Sequence, residues 1–488
     1  MREQVMRGRV LAALAGGVAA CGAVALAAAG IAASGAVPAA RAAVPAAGVW
    51  GRAIEVPGLA ALNTGGHARV NSVSCASAGN CAAGGYYRHR GRQQGFVVVE
   101  RHGVWRRAIE VPGLGALNRG GQAVVSSVSC ASAGNCVAGG YYAVSSFLSQ
   151  GFVVVEQHGV WRRAIEVPGL AALSKFGAFV TSVSCGAAGS CAAGGYYQNR
   201  DASEQGFVAV ERSGRWRRAT QVPGLASLNV HRIATVTSVS CGAAGNCAAG
   251  GDYLDSHYNF QGFVASEVNG VWSAAIEVPG LEALNTDGDA VVNSVSCGSA
   301  GSCVAGGYYT YNNPYAQGFV ASEVNGVWGT AIEVPGLAAL DNGRDAVVSS
   351  VSCPSAGSCA VGGRYNTQDF VASEVNGVWG TAIEVPGLAA LNKFGSTLLS
   401  VSCGSADNCA VGGRYLDRHG FQGFVASEVN GVWGTAIEVP GLAALNTGGN
   451  AKVYSVSCPP TGSCVAGGVY ATRDGSSQGF VAVERAGR

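Results

Sequence analysis

The sequence predicts an all-β fold, an eight-bladed β-propeller with four antiparallel strands per blade, in which an N-terminal strand closes the last blade. Three observations predict it. A unit of about 55 residues recurs eight times from Trp50 onward, and a period of that length marks a repeat architecture. Each unit reads as four short β segments separated by turn residues, the pattern of a propeller blade. Past its leader the chain opens on a lone fourth segment and closes on a third, so the orphan completes the last unit and leaves no dangling sheet edge.

The unit holding Cys130 shows the elements in order. Val124–Cys130 is β-branched and alternating, and is strand A. A short turn leads to strand B, Cys136–Tyr142. A loop of variable sequence follows, then strand C, Gln150–Glu156. His158-Gly159 makes a tight turn that becomes Asn-Gly in four later units, a strong hairpin signal. Strand D runs over Val160–Val167 and stops at Pro168-Gly169. The orphan D is Val49–Val56. The longest connection joins D to the next A, which predicts that A is innermost and D outermost. Small residues on B suit the crowded inner ring, and Trp on D fills the wider gap near the rim.

Seventeen cysteines divide into Cys21 in the leader and eight C-x5-C pairs: Cys75 and Cys81, Cys130 and Cys136, Cys185 and Cys191, Cys241 and Cys247, Cys297 and Cys303, Cys353 and Cys359, Cys403 and Cys409, Cys458 and Cys464. Even pairing at fixed spacing in an exported chain reads as disulfides, each stapling A to B and contributing about 2 kcal/mol. Small buried thiols are the plainer alternative. Zinc fits poorly, because its spacing is usually C-x2-4-C and it needs four ligands. Neither metal nor cofactor is expected.

Residues 1–42 read as a signal peptide. Arg2, Arg7 and Arg9 precede an apolar run, Val10–Ala33, and Ala40-Arg41-Ala42 fits a cleavage site. The mature β-propeller is then 43–488, secreted and monomeric. Lipidation at Cys21, or an uncleaved span, would instead anchor it at the cell surface, the only membrane contact foreseen. The formal charge of +2 resides in the leader, leaving the mature chain near −1. That balance gives no support for a nucleic-acid partner.

Gly139-Gly140-Tyr141-Tyr142 followed by Trp161, and Gly306-Gly307-Tyr308-Tyr309 followed by Trp328, resemble kelch repeats. The units are also similar to SVSC-x5-C-AGGYY repeats of secreted bacterial proteins of unknown function. The kelch resemblance implies a propeller used mainly for binding. The longer unit, the Cys pair and the His-Gly or Asn-Gly turn depart from that pattern.

Alternating strand direction puts the B–C and D–A loops on one face, where the units differ most, from Arg88-His89-Arg90-Gly91-Arg92 to Tyr311-Asn312-Asn313-Pro314-Tyr315. Variable loops on a rigid scaffold build binding surfaces, although drift in exposed loops gives the same variation. The Tyr ending strand B recurs in every unit: Tyr87, Tyr142, Tyr197, Tyr253, Tyr309, Tyr365, Tyr415 and Tyr470. These rings are candidates for stacking on sugars, against a competing role in core packing between blades. The Glu ending each strand C, such as Glu100 and Glu156, reads as a turn-capping or inter-blade hydrogen-bonding group rather than a catalytic acid.

No H-E-x-x-H or P-loop is present. The leading expectation is an exported non-catalytic scaffold that binds glycans or extracellular proteins. A polysaccharide-acting hydrolase or lyase with an axial site is the second, with Asp252, Asp287, Asp289, Asp341 and Asp345 as the place to look. A structural surface protein without a small ligand is the third. One unit is a test of the fold: between Cys353 and Cys403 it spans only 50 residues, its B–C loop shrinks to Asn366-Thr367, and Asp369 replaces the Gly before Phe.

Overall fold

A computed structural model describes residues 48–199, 203–311 and 315–485. The expected leader lies outside the described residues. Among the described residues no helix is long and apolar enough to cross a membrane.

Eight sheets follow one another in chain order, each running A-B-C-D by antiparallel pairing. We number the blades from the first cysteine pair. Blade 1 consists of A Arg69–Ser77, B Asn80–His89, C Arg92–Arg101 and a D strand in two pieces, Val104–Trp105 and Ile109–Glu110. Blade 8 takes its A, B and C from Lys452–Ser457, Val465–Ala471 and Ser477–Arg485. Its D strand is the N-terminal segment: Trp50 pairs with Glu484, and Ile54 with Val481. The shortened unit forms a complete blade 6, with the deletion confined to the turn after Tyr365.

The eight-residue D strand expected from sequence is interrupted. In blade 2, Val160–Trp161 and Ile165–Glu166 both pair with strand C, but the ladder breaks at a bulge over Arg162-Arg163-Ala164, where only the Arg162 N–H still donates to strand C, at the Val155 carbonyl. The cause is a competing partner. The Ala164 N–H donates to the Pro112 carbonyl of the preceding blade (2.8 Å), and the same bond runs from Ala53 to Pro440 across the closure. After each D strand the chain makes one helical turn, such as Leu59–Leu62, entered through Gly58 at φ 76°. Leu59 is fully buried and anchors the connection to the next blade.

The inner ring explains the Ser-Val-Ser-Cys motif. Each A strand offers two serine hydroxyls to the backbone of the next A strand. Ser72 and Ser74 accept from Val128 and Cys130 at 3.0 and 2.9 Å. Ser455 and Ser457 accept from Val73 and Cys75 across the closure. A backbone donor that faces a neighbouring blade, beyond the reach of its own sheet, is satisfied in this way. The double glycine has an equally local cause: a Cβ on Gly84 would lie 2.6 Å from Val125 of the next blade, and one on Gly85 only 1.9 Å from the Arg69 carbonyl oxygen. Strand B can therefore pack this close to its neighbours only without side chains.

All eight C-x5-C pairs are disulfides joining A to B, with Cα atoms 3.9–4.1 Å apart. The core is a set of inter-blade layers. In one of them Phe96, Leu59 and Trp105 pack with Val481 of blade 8.

Candidate functional site

Strand B carries two adjacent side chains at its outer end, and successive residues of a strand point to opposite faces. The second of each pair is the recurring tyrosine. Tyr87, Tyr142, Tyr197, Tyr253, Tyr309, Tyr365, Tyr415 and Tyr470 are only 2–7% exposed. Their rings are buried in the inter-blade core, where they pack against the neighbouring blade. Tyr87 donates to Glu110 Oε2 (2.8 Å), and the equivalent bond to the D-strand Glu recurs in every blade except blade 3. Burial, with the Glu beside it, pushes the Tyr87 hydroxyl well above its usual range. In blade 3 Gln221 replaces that Glu and turns to Gln205, so Tyr197 lines an open cavity of about 920 Å³ beside Lys175 and Asn229.

The first residue of each pair points the other way, toward the inner mouth of the ring. This position varies: Tyr86, Tyr141, Tyr196, Asp252, Tyr308, Arg364, Arg414 and Val469. It pairs with the start of strand A, where Arg69, Val124, Phe179, Thr235, Val291, Val347, Thr397 and Lys452 stand. Together they give the mouth three chemical sectors. Blades 7, 8 and 1 are basic and aromatic: the Arg69 guanidinium lies 5.1 Å from the Tyr86 ring centre and 5.0 Å from that of Tyr454, donates to the Tyr454 hydroxyl at 3.2 Å, and Arg414 stacks over Phe421 at 4.3 Å. Blades 2 and 3 are aromatic: Phe179 stacks on Tyr196 and meets Tyr141 edge-on, both at 5.0 Å. Arg69, Asn71, Tyr86, Ser126 and Tyr141 line a cavity of about 520 Å³ at the junction.

Blades 4 and 5 are acidic. Asp252 is 8% exposed and accepts from the Thr235 hydroxyl. Burial pushes its carboxyl up to about 6; the Thr235 hydrogen bond lowers it, while Glu204 and Asp289 raise it further. Asp289 accepts from the Tyr308 hydroxyl at 3.3 Å. Two of the other acids singled out from sequence, Asp341 and Asp345, are engaged elsewhere. Asp341 is buried against Gln317, and Asp345 pairs with Arg364 at 3.4 Å.

In several blades the Glu at the end of strand C bridges to the preceding blade, whereas both carboxylate oxygens of Glu211 are buried without a hydrogen-bond partner among the described residues. Glu156 pairs with Arg101 of the preceding blade; Glu323, Glu428 and Glu484 accept from Ser266, Ser373 and Ser427. Ser266 and Ser427 also accept from the indoles of Trp328 and Trp50. Among the described residues no group of His, Cys, Asp and Glu is arranged to hold a metal ion. Sequence reasoning missed the mouth because it favoured the constant tyrosine over its variable neighbour. The usable signal was a single repeat position that changes from Tyr to Asp, Arg and Val while everything around it repeats.

No protein-family model matches the sequence, and no curated protein matches it. Solved structures match this chain at low identity. Sqt1 of Chaetomium thermophilum, bound to the N-terminus of ribosomal protein L10, is 13% identical with a TM-score of 0.49, covering 86% of this chain and 98% of that one. A protein of unknown function from Dyadobacter fermentans is 10% identical with a TM-score of 0.41, covering 91% and 100%. The N11 neuraminidase-like protein of A/flat-faced bat/Peru/033/2010 is 11% identical with a TM-score of 0.35, covering 63% and 87%.

Proposed function

We propose that this chain is an exported, non-catalytic binding module, a kelch-like ring that takes a glycan at its inner mouth on the variable-loop face. Eight disulfides fit an oxidising extracellular compartment. The observation that carries the reading is the continuous aromatic surface of Tyr141, Phe179 and Tyr196, flanked by Arg69 on one side and Asp252 on the other. Aromatic rings supply apolar area for a sugar face, and flanking polar groups fix its orientation.

A glycan array probed with the oxidised chain tests this. Saturable binding that Tyr141→Ala or Tyr196→Ala abolishes, and that Tyr142→Phe leaves intact, is the expected result. A blank array from folded protein overturns the glycan reading and leaves an extracellular protein as the partner.

Asp252 and Asp289 favour a second reading. A buried carboxyl raised to about 6 beside another acid is the pairing that glycoside hydrolysis uses. Turnover of a polysaccharide that Asp252→Asn removes would establish it.

A further inference from the structure

The near-zero charge of the ring conceals a segregation. Residues 49–222 carry 17 Lys and Arg against eight Asp and Glu, whereas residues 223–439 carry six against 18. The outermost strand concentrates the basic half. At the bulge of strand D, blades 1, 2 and 3 place Arg106-Arg107, Arg162-Arg163 and Arg217-Arg218, and blade 8 places Arg52, all exposed. Blades 4 to 7 place Ser273-Ala274, Gly329-Thr330, Gly380-Thr381 and Gly434-Thr435 there.

These arginines are set in the seams between blades. A Cβ on Gly58 of blade 8 would lie 3.2 Å from Arg107 Nε of blade 1. Gly113, Gly169 and Gly441 stand in the same relation to Arg163, Arg218 and Arg52. Four successive seams are thus roofed by guanidinium stems, where the other four are roofed by Ala274, Thr330, Thr381 and Thr435. Among the described residues none of these arginines forms an ion pair. The nearby D-strand acids Glu55, Glu110 and Glu166 are committed to Tyr470, Tyr87 and Tyr142.

We propose that this arc of the rim is a docking surface for a linear acidic polysaccharide that carries carboxylates along its length. Guanidinium forks match carboxylates bidentately, and the arc is built from arginine alone. One unpaired charge cluster per blade over four blades suits a repeating polyanion rather than a single small ion. The exposed apolar neighbours on these strands are Val49, Ile54, Val104, Ile109, Val160 and Ile165, while Trp50, Trp105 and Trp161 are buried and Trp216 half-buried, so the arc lacks the exposed aromatic platforms on which nucleobases stack. The disulfides also place the chain where extracellular polysaccharides occur.

The test is the affinity of the oxidised chain for polygalacturonate at 50 and 300 mM NaCl, beside that of the variant Arg107→Thr/Arg163→Thr/Arg218→Thr. Threonine already fills the equivalent seams of blades 5, 6 and 7, so the variant retains the fold, which its melting temperature verifies. The expected result is a loss of about tenfold or more in the variant, a comparable loss at the higher salt, and no binding of dextran. Tyr141→Ala leaves this affinity unchanged, which separates the rim from the mouth. An unchanged affinity in the triple variant overturns the proposal, as does the absence of binding at 50 mM NaCl. Single-stranded DNA of matched charge binding as tightly as polygalacturonate would also overturn it.

Discussion

The backbone N–H of Val73 donates to the hydroxyl of Ser455 at 3.1 Å, joining residues 382 positions apart. Cys75 and Ser457 repeat the bond two residues on. These two contacts carry the inner Ser-to-backbone ring across the seam where the chain closes on itself. Ser455→Ala/Ser457→Ala leaves two largely buried donors without partners, and each orphan costs about 1–3 kcal/mol. Chemical denaturation should show a loss of that order at this seam, and the paired change Ser72→Ala/Ser74→Ala one seam away should match it.

The N-terminal strand supplies the other half of closure. Removing residues 48–56 uncovers the edge of Ser477–Arg485, where Trp50 and Ile54 normally pair. An unpaired edge of this kind recruits other chains. Size-exclusion chromatography should show dimers or larger species, and a synthetic peptide of the missing segment should restore the monomer.

The constant tyrosines give an internal comparison. Tyr87→Phe deprives Glu110 of its donor, whereas Tyr197 has no Glu to serve because Gln221 stands there. The first substitution should cost about 1–2 kcal/mol and the second close to nothing. Parallel denaturant titrations of the two variants check the difference.

Asp369 makes the stability of blade 6 depend on pH. Its carboxyl is fully buried, with no well-formed hydrogen bond to either oxygen. Burial raises it to about 7 from an ordinary value of 3.8, and the Leu398 backbone and Ser396 hydroxyl offset this only in part. Between these two values the folded state holds a proton that the unfolded chain has released. Stability therefore falls as pH rises from about 4 to about 7 and is level above that. Asp369→Gly, the residue of the other blades, removes this dependence. The variant should gain stability over the parent by a few kcal/mol more at pH 8 than at pH 4, read as the difference in melting temperature at each pH.

The sequence by itself determined the number of blades, the strand order, the disulfide pairing and the closing strand. Each of these follows from a local signal repeated at a fixed period: the C-x5-C pair, the Asn-Gly turn before Trp, the unmatched Val49–Val56. Repetition makes such signals legible because eight noisy copies report one structure. The tertiary structure alone decided which of two adjacent tyrosines is core and which faces the mouth. Alternation says only that Tyr86 and Tyr87 point apart; the packing of the next blade chooses between them. It also split strand D, because the carbonyl that captures Ala164 belongs to another blade. And it gathered arginines spaced some 55 residues apart into one arc, since charge that sums to almost nothing along a chain is separated only when the ring gives each blade a place.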